Sequence, residues 1–154
     1  MNIEEKLIDK ILYDEKVTDE ERENIILSLN KEAIYKLLEE YNWDDGIVIP
    51  ELILKNKHCD LKIALLLFAL SDAYSYIEDK ETFEKENNNQ YFKDYYNFVI
   101  SLYNDVVSYK YGKYDLSKLT TTKMSRTQEY YYKKKLAQGI IKDNERIFYE
   151  EIEE

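Results

Sequence analysis

The chain has 154 residues, a formal net charge of −10, 14% aromatic residues, three Gly and one Pro. A globular chain of this length can bury a core of its own without a metal or disulfide staple, and so many aromatics exclude a disordered polypeptide. So few turn residues argue against sandwiches and barrels and for helices.

The single Cys leaves no internal disulfide, which fits a reducing compartment. The start, Met1-Asn2-Ile3-Glu4-Glu5, has neither the basic region nor the apolar core of a signal peptide. No apolar run approaches the roughly 20 residues of a membrane span. A cytoplasmic protein is expected. Residues 1–30 hold 9 acids and 4 bases, whereas residues 116–142 hold 1 acid and 7 bases. An acidic body repels nucleic acid and attracts a basic partner.

Ile3, Leu7, Ile8, Ile11 and Leu12 recur at helical spacing and predict a helix to about Tyr13. Thr18 and Glu21 form a capping box for a second helix to about Leu29, burying Ile25, Ile26 and Leu29. Asn30 caps a third, with Ala33, Ile34, Leu37, Leu38 and Tyr41 on one face. Asn42 to Gly46 is a turn in which Gly46 takes positive φ, and Pro50 suits the first turn of a short helix to Lys55. Asp60 is placed to cap a helix from Leu61 to about Tyr76. Its inner face is Ile63, Ala64, Leu67, Phe68, Ser71 and Tyr74. Leu65, Leu66 and Leu70 make it apolar nearly all round, as a central helix is. Asp79 to Asn89 reads as an exposed loop or frayed turn. A long helix is expected from Gln90 to Tyr111 with Gly112 at its cap, its stripe marked by Phe92, Tyr95, Tyr96, Val99, Leu102, Tyr103 and Val106. Residues 113–124 show no clear period. Ser125 or Thr127 starts a last helix through Ala137, stopped at Gly139. Ile147, Phe148 and Ile152 are docking points in an acidic tail. The expected fold is all-α: a single domain over 1–154, a compact array of six to eight helices in antiparallel hairpins around the central helix 61–76.

Asn42-Trp43-Asp44-Asp45-Gly46, Ile49-Pro50, Cys59-Asp60-Leu61, Ala64-Leu65, Phe68 and Asp72-Ala73-Tyr74 resemble a bacterial family classed as domain of unknown function 4274. Asn56 answers to the Asn of that family's second turn. Leu119, Ser125, Gln128 to Lys135 and Gly139 resemble its polar C-terminal helix, which extends the likeness over about residues 35–150. The sequence departs at Ala73, where the pattern has Gly. The resemblance implies an all-helical fold and no activity. By association with toxin–immunity loci it implies an inhibitor role, and the acidic charge points to a basic partner for it to mask.

Three clusters carry polar chemistry. Asp44 and Asp45 beside Trp43 suggest the paired carboxylates of a small hydrolase, but neighbours in a turn point apart, so Trp43 is expected to anchor the turn and an Asp to bond its N–H groups. His58, Cys59 and Asp60 suggest a nucleophile and base, but three consecutive residues rarely meet side chain to side chain. Cys59 is expected buried, Asp60 capping and His58 exposed. With Gly46 and Pro50, these form a structural motif rather than a catalytic one. Tyr130, Tyr131, Lys133 and Lys134 within the Tyr/Lys helix 128–135 are the alternative, a nucleic-acid or phospho-ligand contact. Consecutive helical residues splay apart, however, and the lysines are expected to pair with the acidic termini. No cofactor, metal site or enzymatic activity is expected. The leading expectation is an immunity-type protein-binding domain contacting its partner through Tyr95 and Tyr103 and through Asp14, Glu15, Asp19 and Glu20.

Overall fold

The structure, a computed structural model, describes residues 2–153. Met1 and Glu154, the ends of the two acidic termini, lie outside the described residues. The fold is all-α. Among the described residues it comprises α1 (Ile3–Leu12), α2 (Asp19–Ser28), α3 (Lys31–Glu40), α4 (Val48–Lys55), α5 (Leu61–Leu70), α6 (Tyr74–Glu78), α7 (Lys80–Asn87), α8 (Lys93–Val107) and α9 (Arg126–Ala137). Short 3₁₀ turns and one two-residue strand pair complete it. The chain divides into two compact units, one ending at Ala64 and one starting at Leu65, so the division falls inside α5.

In the first unit α1 packs on α2 and α3, and α2 packs on α4. Its core is aliphatic: Ile8, Ile11, Ile26, Leu29, Ile34 and Leu37 are buried, as the helical spacing predicts, and so is Ile53, while Ile25 is only half-buried. Side chains close the exposed helix starts. Asn2, Thr18 and Asn30 each accept the N–H three residues on, and such a bond satisfies one of four orphan donors.

In the second unit α7 packs on α6 and α8. Its core mixes aliphatic side chains with aromatic ones. Phe68 and Phe148 lie 4.3 Å apart between ring centroids, and Tyr103 stacks on Phe148 at 5.4 Å. Strands β1 (Leu119–Thr120) and β2 (Glu151–Ile152) pair antiparallel, Leu119 opposite Ile152. This ties the segment of unclear period to the acidic tail, where Ile147 and Phe148 are buried.

The structure corrects three boundaries. The central helix ends at Leu70, not Tyr76. Asp72 takes φ 57, the Asp72 N–H donates to the Ala69 carbonyl and the Ala73 N–H to the Phe68 carbonyl, the paired bonds of a Schellman stop. Residues 80–87 are a helix rather than a loop. Asp79 caps it at the Thr82 N–H, and Phe83, its one apolar residue, is buried. The long helix ends at Val107, because Tyr109 at φ 65 provides the left-handed stop expected of Gly112. Gly139, at φ 74, stops α9 where expected.

Candidate binding surfaces

The rare residues of the first unit act as scaffold. At the 3₁₀ turn Trp43–Asp45, Asn42 Oδ1 accepts the Asp44 N–H at 3.0 Å. The Asx role thus falls to Asn42, and Asp44 and Asp45 extend into solvent, which corrects the expectation that an Asp bonds the turn. Trp43 is half-buried and meets the Tyr41 ring edge-on at 5.4 Å. The Tyr41 hydroxyl donates to the Gly46 carbonyl; burial, helped by the charge of Asp45, pushes it up to about 12. Gly46 sits at φ 94, a backbone an L side chain rarely adopts, and Pro50 is buried in the first turn of α4.

Asn56 is 3% exposed. Its Nδ2 donates to the carbonyls of Ile26 at 2.8 Å and Leu29 at 3.0 Å, and its Oδ1 accepts the His58 N–H at 2.7 Å. It therefore completes the end of α2, where the Leu29 N–H also donates to the Ile26 carbonyl at 3.3 Å. Asp60 Oδ1 accepts the Ile63 N–H at 3.1 Å and Oδ2 the Lys31 ammonium at 2.7 Å. Burial works to raise this carboxyl, but those two partners outweigh it and hold it below the ordinary value. Both oxygens are thus engaged, and Asp60 orients no base. His58 and Cys59 are each half-buried, against the expectation of an exposed His and a buried Cys. The Cys59 thiol lies 3.9 Å from the Asp60 carbonyl.

At the turn after α1 the charge is less balanced. Tyr13 is 66% exposed. Glu15, Asp19 and Glu20 are exposed beyond it, and Asp14 is half-buried with Oδ1 on the Lys16 N–H. Arg22 turns inward: its Nε donates to the Ile11 carbonyl at 2.8 Å, and Nη1 reaches Asp19 at 3.1 Å. The one guanidinium in the segment is spent fixing the turn, and the outer carboxylates face solvent.

The second unit contains a cleft of about 480 Å³. Tyr74 and Glu78 of α6 line it, with Thr120, Thr121, Lys123 and Met124 after β1, Tyr131, Tyr132 and Lys135 of α9, and Tyr149. Tyr149 stacks on Tyr132 at 5.3 Å and meets Tyr74 at 5.1 Å. Lys135 pairs with Glu78, and Lys123 with Glu151 at 2.6 Å. Behind the tyrosines, the Tyr132 hydroxyl donates to Glu150 Oε2, which also accepts Arg146 Nε at 2.6 Å. Burial alone would raise Glu150, yet the bonds from Arg146 and Tyr132 keep its carboxyl below the ordinary value. The Tyr149 hydroxyl is buried with no hydrogen-bond partner.

The Tyr/Lys helix is thus divided. Tyr132 is buried, and Tyr130 and Tyr131 stay exposed, at 63% and 56%. Lys133 pairs with Glu129 of its own helix and Lys135 with Glu78, not with the acidic termini, while Lys134 is exposed. Tyr103 is 7% exposed, its hydroxyl bonded to the buried Glu145, so it offers no partner surface. Tyr95 is half-buried and donates to the Ser71 carbonyl at 2.7 Å; burial pushes its hydroxyl up to about 12. Both tyrosines, expected at an interface, are engaged internally. Sequence reasoning missed the cleft because Glu78 and Lys135 are 57 positions apart, and no periodicity signals such a pair.

Among the described residues, no group of three His, Cys, Asp or Glu is placed to hold a metal ion, and no helix is long and apolar enough to cross a membrane. A family model described as a domain of unknown function, DUF4274, matches residues 30–107. No curated protein and no solved structure matches the chain. The matched span holds the Trp43 turn, Asn56 and Asp60, and stops before β1 and α9, so most of the cleft lies beyond it.

Proposed function

From the premise that this chain belongs to the DUF4274 family, whose description carries no activity, we propose that it is a cytoplasmic, non-catalytic protein-binding domain, of the immunity type, that masks a basic partner. The carrying observation is the turn after α1, where Tyr13 is 66% exposed and Glu15, Asp19 and Glu20 are exposed close by in sequence. An exposed Tyr supplies large contact area at low entropic cost, and a surrounding field of one sign steers an oppositely charged partner. The net charge of −10 extends that field. Inhibition is steric and electrostatic. Asp60 is engaged on both oxygens and the Asp44 and Asp45 side chains extend into solvent, an arrangement that supports binding over hydrolysis.

Co-purification of the tagged chain with the product of the adjacent gene tests this. A complex at micromolar concentration is expected, weakened at least tenfold by Tyr13→Ala and by Glu20→Lys, with thermal stability unchanged in both variants. Absence of a complex, or a complex indifferent to both substitutions, overturns the reading.

A further inference from the structure

The cleft of the second unit is a separate site with its own chemistry. Its volume, about 480 Å³, falls in the range of small-ligand pockets, roughly 300–1,000 Å³. Four tyrosines, 74, 131, 132 and 149, supply apolar ring surface. Tyr131 remains 56% exposed, an aromatic face available to whatever enters.

The charges decide the class of ligand. Two lysines and two glutamates line the cleft, joined as Lys135–Glu78 and Lys123–Glu151. A phosphate or other anion meets two carboxylates there, and a simple cation meets two ammonium groups. A ligand with one charge of each sign close together is attracted by both. Its ammonium bonds a glutamate while its carboxylate bonds a lysine, and neither protein charge is left unpaired. The Lys123–Glu151 pair is open to solvent, with side chains 76% and 50% exposed, and such a pair costs little to rearrange; Lys135–Glu78 is more covered, at 42% and 25%. The tyrosine surface then selects a flat apolar body. We propose that this cleft binds a free α-amino acid with an aromatic side chain: the ring on the tyrosines, the α-ammonium toward Glu78 or Glu151, and the α-carboxylate toward Lys135 or Lys123. The site lies in the second unit, and the proposal stands or falls independently of the turn after α1.

Isothermal titration of the full chain tests it with L-phenylalanine, with phenethylamine and 3-phenylpropionate as its singly charged analogues, and with inorganic phosphate. Saturable binding of L-phenylalanine is expected, with each analogue and phosphate at least tenfold weaker. Tyr131→Ala and Lys135→Gln, both partly exposed positions, are expected to weaken L-phenylalanine binding at least tenfold with unchanged circular dichroism. No binding of L-phenylalanine at millimolar concentration overturns the proposal, as does equal binding of either analogue. Preference for phosphate overturns it in favour of a phospho-ligand site. The analogue series on the unmodified chain decides the matter should a variant fail to fold.

Discussion

Asn56 and Ile26 are thirty positions apart in sequence, yet the Asn56 amide nitrogen lies 2.8 Å from the Ile26 carbonyl oxygen. The same amide serves Leu29 and the His58 N–H. Removing it strands the Leu29 carbonyl and the His58 N–H, each worth roughly 1 kcal/mol or more, and leaves the Ile26 carbonyl the Leu29 N–H at 3.3 Å. Asn56→Ala is expected to lower stability by about 2 kcal/mol, read as a reduced urea midpoint with an unchanged slope.

Glu150 gives the second unit an acid-sensitive tie. Its carboxyl is held below the ordinary value, so its contribution is fully present above the unfolded glutamate value of about 4.3 and disappears as pH falls through the lower folded value. Glu150→Gln is expected to cost about 2 kcal/mol near neutral pH, the scale of a charge-assisted bond. The gap from the unmodified chain should narrow steadily below about pH 4 in parallel thermal melts.

The stop after α5 separates two neighbouring positions of opposite preference. Asp72 holds φ 57, and Ala73 is completely buried at φ −89. Asp72→Gly relieves a left-handed backbone and is expected to be neutral or stabilising by up to about 1 kcal/mol. Ala73→Gly removes a buried methyl group and frees the unfolded chain, and is expected to destabilise by about 1 kcal/mol. Calorimetry should show a lowered transition for Ala73→Gly and an unchanged or raised one for Asp72→Gly.

Tyr103 and Glu145 form a buried pair in which Glu145 is 1% exposed. Tyr103→Phe leaves that carboxylate without its hydroxyl donor and is expected to cost about 2 kcal/mol, whereas Tyr130→Phe at the surface should stay within about 0.5 kcal/mol. Neither change is expected to weaken a complex made through Tyr13. Denaturant melts and co-purification on the same samples check both statements.

What the sequence revealed was local. Thr18, Asn30, Asp60 and Ser125 cap helices where the spacing places them, and the apolar stripe from Ala33 to Tyr41 is buried as read. Boundaries set by left-handed residues other than Gly were not legible, because Asp72 and Tyr109 do not advertise that conformation. Nor was α7, whose single buried aromatic, Phe83, gives no period. The cleft depends on pairings such as Glu78 with Lys135 and Tyr132 with Glu150, which only the assembled chain brings together. The same limit misplaced Tyr103: the acceptor that satisfies its buried hydroxyl, Glu145, lies 42 positions away.

The lone Trp43 sits in the first unit, while thirteen of the sixteen tyrosines fall at or beyond Leu65. The chain therefore carries a separate optical label for each unit. Indole fluorescence follows the unit ending at Ala64, and tyrosine absorbance is dominated by the other. Superimposable unfolding curves from the two signals would mark one cooperative transition through α5, and displaced curves would mark two, with no dye or added label.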